Sequence, residues 1–384
     1  MRTTDVSPAP DLAAPRAEVS TNAAHRAYLA QSRFGSLDGL RCLCILAVLW
    51  HHSPLLPLVL DGPRILQRGF TGVDFFFVLS GFLITTLLLR EGRVAGQPTS
   101  HGFSLAGFYW RRALRILPVY FFVVTVVAAI HIGVKGRTDY LDILPYYYVF
   151  LSNFLTDHIP LLAPTWSLAV EEQYYLIWPL VLLVLPRAAL LPVPAAVVAL
   201  NVLGISGALG LQGFDLGPLR IALPNPTYAP ILLGSMLALA LDRPGPFRLL
   251  RATLGGRAAA PLAFVGVGVL LAVLPQDLRG VPNLILHLAM CAALAALVVR
   301  EDHALAPALR WPPVARLGAI SYGIYLYHLI GLYLATIVLA RLGITDLWGV
   351  TGVYLAAAVA LAEISDRTLE RYFRGFRKSQ VAKA

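Results

Sequence analysis

The stretch SLDGLRCLCILAVLWHH, Ser36–His52, decides how the chain is read. Its middle is almost wholly apolar, yet Arg41 stands near its start and His52 closes it. In a helix, eleven steps of about 100° and 1.5 Å carry Arg41 to His52. That leaves the two within roughly 20° of one face and about 16 Å apart. An ionisable pair on one stripe of a lipid-buried helix is costly, and such groups line internal cavities and mark function. The plainer alternative is a histidine resting at the membrane interface.

The remainder of the chain sets the same scene. Hydrophobic residues make up 58% and charged residues 14%, with a mean hydropathy of +0.69. Soluble domains average about 25% charged residues. Only helices or closed barrels satisfy their backbone in lipid, and these apolar runs are too long for barrel strands. The reading is an all-α polytopic membrane protein. Cys42, Cys44 and Cys291 lie in apolar segments with neither a disulfide framework nor metal-ligand spacing, so no metal is expected. No cleavable signal peptide or internal repeat is visible.

Apolar segments fall near 36–54, 72–89, 114–134, 166–186, 189–210, 226–241, 258–274, 282–299, 317–340 and 347–364. Residues 141–156 are short, aromatic and broken by Pro145. If they do not cross and the N-terminus lies inside, 23 of the 31 Lys and Arg face the cytoplasm and 7 face out. Cytoplasmic loops carry the excess of Lys and Arg, so this is the favoured orientation. The expectation is a bundle of about ten transmembrane helices with both termini cytoplasmic. A flexible segment at 1–35 precedes a membrane domain at 36–364. A basic amphipathic tail at 365–384 suits an anionic inner leaflet. Orientation bias also accounts for the net charge of +10, since the basic residues sit in short loops and not on one nucleic-acid-binding face.

Further polar groups interrupt the apolar runs. Asp74 calls for an internal partner or a substrate contact. Ser80, Gly72 and Gly81 suit close helix packing. Arg112 and Arg115 are i, i+3 neighbours suited to phosphate oxygens, or to plain membrane anchoring, and Pro118 is expected to kink or end that helix's first turn. In PTWSLAVEEQYY, Ser167 and Glu171 are i, i+4, and at least one of Glu171 and Glu172 should face a cavity. In SYGIYLYH, Ser321, Tyr325 and His328 share a face that serves packing or substrate equally well.

Taken in order, Arg41-x10-His52, GVDFFFVLSGFLIT (Gly72–Thr85), Arg112-x-x-Arg115, WSLAVEEQYY (Trp166–Tyr175) and SYGIYLYH (Ser321–His328) resemble the acyltransferase-3 family of integral membrane acyltransferases. The resemblance spans about 36–330. It implies transfer of an acyl group, usually acetyl, from cytoplasmic acetyl-CoA to a hydroxyl of a carbohydrate, glycan or glycosylated natural product, in a bacterial inner membrane. The acyl-CoA is a donor substrate and no cofactor is tightly bound. The resemblance makes His52 the essential histidine, Arg41 its paired arginine, and Arg112 and Arg115 the donor-side motif. Glu171 or Asp74 is then a candidate to orient the imidazole, and Trp166, Glu172, Tyr325 and His328 are candidate acceptor contacts. It also implies that transfer is completed within the membrane domain or with a separate partner. His52 could act as a general base or pass through an acyl-histidine. A secondary transporter or flippase is the alternative, since it too places ionisable groups in a helical bundle.

Overall fold

A computed structural model describes residues 13–94, 103–210, 213–221 and 228–381. Each of the ten apolar segments carries a helix. In chain order the main elements are α1 (Ala13–Ala30), α2 (Leu37–His51), α3 (Thr71–Val94), α4 (Leu105–Ala128), α5 (Thr165–Val184), α6 (Pro192–Ile205) and α7 (Tyr228–Leu241). Then follow α8 (Pro244–Leu254), α9 (Ala259–Val273), α10 (Val281–Val298), α11 (Pro312–Ala319), α12 (Ser321–Arg341), α13 (Leu347–Ser365) and α14 (Arg371–Val381). Among the described residues a single hairpin, Phe214–Leu216 against Leu219–Ile221, pairs Asp215 with Arg220 at its centre.

Among the described residues five spans, Thr71–Arg93, Leu105–Val134, Val281–Val298, Ser321–Arg341 and Leu347–Phe376, are long and apolar enough to cross a bilayer. The pair α8 and α9, bent by 81°, makes a sixth if counted as one. That is short of ten, for physical reasons. The 15 residues of α2 rise about 22 Å and the 14 of α6 or α7 about 21 Å, against a hydrocarbon core of ~30 Å. The 20 residues of α5 suffice in length but include Glu171, Glu172 and Gln173. Exposed apolar stripes mark the lipid-facing sides: Leu176, Ile177, Leu180 and Val184 on α5, and Leu262, Val265, Val269 and Val273 on α9. Within 141–156 the longest helix is Leu144–Tyr148, far too short to cross.

Two expectations change. The third apolar segment begins as a helix at Leu105, not near 114. Ser104 caps it by accepting from Gly107 N at 3.1 Å, and the amphipathic FYWRRAL continues it, so Pro118 lies well inside. The 1–35 segment is not loose where it is described. His25 and Tyr28 on α1 are buried, His25 Nε2 donates to Leu241 O at 3.1 Å, and both rings pack on Phe247. Residues 1–12, and 382–384 of the tail, lie outside the described residues. In the tail, Arg374 donates to Asp366 at 2.6 Å, which also accepts from Arg316 at 2.7 Å.

The centre of the bundle is α3. One of its faces, with Phe77, Ile84 and Leu88, joins a core shared with α4, α5, α12 and α13. The other, with Phe75, Val78, Leu79 and Phe82, joins a second core with α1, α7 and α10. Glycines let α3 cross α7 backbone to backbone. A Cβ on Gly81 would overlap Ile231 O, and one on Gly234 would overlap Val78 O. Nearby, Tyr174 and Ser235 hydroxyls meet at 2.7 Å, and Trp178 Nε1 donates to Thr85 at 2.8 Å, fixing α5 to the crossing.

Gly234→Val should therefore lower stability by about 1–3 kcal/mol through overpacking. Gly268→Ala, whose added methyl meets nothing nearer than Ile65 Cδ1 at 3.8 Å, should not. Thermal unfolding of the purified protein in lipid nanodiscs reads the difference, and equal effects would refute the close crossing.

Candidate active site

Three expected arginines and both expected glutamates converge on one cavity of about 120 Å³. Arg41 reaches it from α2, Arg112 and Arg115 from α4, and Glu171 and Glu172 from α5. Tyr325 of α12 closes its far side together with Ser167. A wider cavity of about 670 Å³, lined by Arg33, Asp38, Arg90 and Phe103, adjoins it, and Arg41 and Leu83 line both.

Three of the five charged groups are held by a particular partner. Arg41 donates to Asp38 Oδ1 at 2.7 Å, one turn earlier, and Arg33 pairs with the other oxygen of Asp38. The Arg112 guanidinium stacks over the rings of Tyr175 (5.4 Å) and Phe108 (5.8 Å), an arrangement suited to a planar cation. Arg111, by contrast, pairs with Glu91, which lines the wider cavity and not the narrow one. Ser80 Oγ donates to Glu171 Oε1 at 2.6 Å and accepts from Tyr175 at 3.3 Å. The Tyr325 hydroxyl donates to Pro164 O at 2.9 Å and stands 2.7 Å from Ser167 Oγ.

The histidines lie behind this wall and outside the lining. His52 caps the C-terminus of α2, and its Nδ1–H donates to Val48 O at 3.0 Å. A carbonyl only accepts, so this bond sets the tautomer and leaves the lone pair on Nε2. The ring of His328 packs edge-on against His52 with centroids 4.7 Å apart, and Tyr325 packs on His328 at 5.6 Å. His51 points elsewhere, edge-on to Phe70.

Two candidates are not drawn into the cavity. Asp74 leaves α3 on the opposite side, where Oδ2 lies 3.4 Å from Nε2 of the buried His287 of α10. It does not reach His52, because the face of α3 that carries it packs on α10. Trp166 packs edge-on to Phe77 at 6.1 Å and does not line the cavity. Glu171 lines the cavity but is bonded to Ser80, not to His52.

Several partners were missed. Asp38 could have been found from the i, i+3 spacing in DGLR. Gln173, in the same block as the two glutamates, donates to Phe150 O at 2.7 Å and Asn153 Oδ1 at 2.8 Å. It thereby ties down a segment in which Phe150 holds a positive φ of 55°. Nothing local signals the pairing of His287 with Asp74. Among the described residues, no group of three His, Cys, Asp or Glu is arranged to hold a metal ion.

Residues 34–364 match the acyltransferase domain model of the acyltransferase-3 family. The peptidoglycan O-acetyltransferase OatA of Listeria monocytogenes is 28% identical over 380 residues, covering 89% of this chain and 57% of that protein. The putative peptidoglycan O-acetyltransferase YrhL of Bacillus subtilis is 33% identical over 375 residues, covering 89% and 55%. A putative O-acetyltransferase of Staphylococcus aureus is 32% identical over 161 residues, 39% of this chain and 24% of that protein. The chain thus spans little more than half the length of the first two relatives. No solved structure matches it.

Ser80→Ala should destabilise the protein by about 1–3 kcal/mol, because the Glu171 carboxylate loses its hydroxyl donor. Thr336→Ala, at an exposed hydroxyl on α12, should stay within about 0.5 kcal/mol. Unfolding midpoints that fail to separate the two would mean that Ser80 does not support Glu171.

Proposed function

The chain belongs to the acyltransferase-3 family, and on that premise we propose that it moves an acyl group, acetyl in the first instance, from cytoplasmic acyl-CoA to a carbohydrate hydroxyl. The observation that carries the reading is the convergence of three guanidinium groups on one narrow cavity backed by a histidine pair. Guanidinium groups match phosphate oxygens in geometry and charge. Arg41, Arg112 and Arg115 bind the anionic donor, and the wider cavity beside Arg41 admits its nucleotide end. The names of the relatives support a peptidoglycan-type glycan as the acceptor class.

His52 supplies the base. Its Nε2 takes the proton of the acceptor hydroxyl as the oxygen attacks the thioester carbonyl. The tetrahedral adduct then collapses, the C–S bond breaks, and the proton passes to the leaving thiolate, giving ester and free CoA. Glu172 contacts the acceptor, and Glu171 is held by Ser80 in the same lining. A carrier has no use for a base with a fixed tautomer beside this cluster.

The protein is integral to the membrane, and a bacterial cytoplasmic membrane fits its relatives. Ten crossing helices with both termini inside accord with the basic residues of the loops. In that arrangement the short helices α2, α6 and α7 cross with the help of their polar flanks.

The test is thiol release by the full chain in proteoliposomes given acetyl-CoA and chitotetraose as a hydroxyl-bearing probe. Free CoA should appear, and His52→Ala should lower the rate by about 10²–10⁴-fold per folded molecule. His51→Ala, which projects about 100° away along the helix, should be far milder. No thiol release, or an intact rate in His52→Ala, would overturn the reading.

Topology has its own check. A membrane-impermeant maleimide should label Asp157→Cys from outside intact cells and Leu249→Cys only after permeabilisation. Both sites are exposed. The reverse pattern would exclude the ten-helix arrangement.

A further inference from the structure

His328 is fully buried, and its Nδ1–H donates to Tyr325 O at 2.6 Å. The acceptor is a carbonyl, so Nδ1 carries the hydrogen and the neutral ring keeps a lone pair on Nε2. That nitrogen is buried and has no hydrogen-bond partner. A buried acceptor left unmade is unfavourable, and one that persists calls for an explanation. Its ring neighbour is His52, held in the same tautomer by Val48 O.

Two neutral imidazoles that both present lone pairs cannot bond to each other. A single added proton removes that conflict. It turns one Nε2 into an N–H donor, and the other Nε2 accepts from it. The surroundings leave little else to take the proton. The titratable groups in ring contact with the pair are His51, 5.0 Å from His52, and Tyr325, 5.6 Å from His328. From α13, Tyr354 donates to Leu49 O at 3.2 Å, and Thr351 meets the Ser53 hydroxyl at 3.3 Å.

We propose that His52 and His328 hold one proton between them, so that His328 is a positioning residue that takes up the charge His52 acquires. The inference rests on the acyl-transfer reading for its catalytic meaning. The O–H bond of the acceptor breaks as N–H forms on His52. The proton is shared as N–H···N while the ester C–O bond forms, and it leaves to the thiolate as C–S breaks. The pair ends neutral, ready for another turnover. His328 is therefore not an acceptor contact in its own right.

The test needs neither donor nor acceptor. The full-length protein, labelled with ¹⁵N and ¹³C histidine and held in nanodiscs, is titrated by NMR. At high pH both rings should show the Nδ1–H form. On acidification the first proton should move the signals of both rings at one midpoint. In His328→Phe the His52 midpoint should fall by about one pH unit, the size expected when interacting sites share a titration. The sign follows because the protonated ring has lost its acceptor. His52→Phe should move His328 in the same way, which covers the case in which one variant fails to fold. Separate midpoints in the unsubstituted protein, an unmoved His52 in His328→Phe, or an Nε2–H form at high pH would each refute the shared proton. Coupled rings in a protein that releases no thiol would refute the transfer reading alone. Thiol release with uncoupled rings would refute only the shared proton.

Discussion

Charge placed inside an apolar bundle is the constraint around which this structure is arranged. Removing an ion from water costs several kcal/mol even after relaxation, and well-packed apolar side chains usually do at least as well for stability. Arg41, Arg112, Glu171 and Glu172 are all half-buried in one place, each on a helix that is otherwise greasy. Every compensation is local and specific: Asp38 one turn from Arg41, two aromatic faces for Arg112, a serine for Glu171. A bundle selected for stability alone would have no reason to assemble these groups. Their convergence is an argument for chemistry, and it is independent of the family match.

The convergence in turn depends on how closely α3 can approach its neighbours. Ser80 must stand on the cavity side while the next residue, Gly81, lies against the backbone of α7. A side chain at either Gly81 or Gly234 would push α3 toward the cavity, and the hydroxyl meant for Glu171 would move with it. The Tyr174, Ser235, Thr85 and Trp178 bonds hold the third helix, α5, at the same crossing. Packing and site geometry are thus one requirement, expressed on opposite faces of a single helix.

What could be read from sequence follows the range of the forces involved. The helices were legible because burial in lipid writes itself as apolar run length. Arg41, Arg112, Arg115, Glu171 and Glu172 were each legible as candidates because a charge in such a run needs an internal place, but their convergence on one cavity was not. Helix ends were less so: the cap at Ser104 and the amphipathic turn after it moved the start of α4 well ahead of its apolar stretch. Partners distant in the chain were not legible at all. Asp74 announced only that it needs a partner, and whether that partner was His52 or His287 was decided by which face of α3 meets α10. The contact of His52 with His328 is likewise tertiary, since α2 and α12 come from opposite ends of the chain.

The placement of that contact matters for a reaction in which water competes with the acceptor. A base with open access to a bound thioester would activate water as readily as a sugar hydroxyl. Here the two are separated. The arginine-lined cavity ends at Tyr325, whose hydroxyl is tied to Pro164 O and Ser167, and the histidines stand on the other side of that ring. Both imidazoles have Nδ1 engaged by carbonyls of their own helices, so neither can swing toward the cavity without giving up a hydrogen bond. In the proposed reaction one hydroxyl oxygen both yields its proton to His52 and attacks the thioester carbonyl, so base and carbonyl must lie within reach of that single atom. The thioester end of the donor therefore has to come past Tyr325 to the histidines, which makes that ring, and not the size of the acceptor, what keeps the base from a donor resting in the cavity.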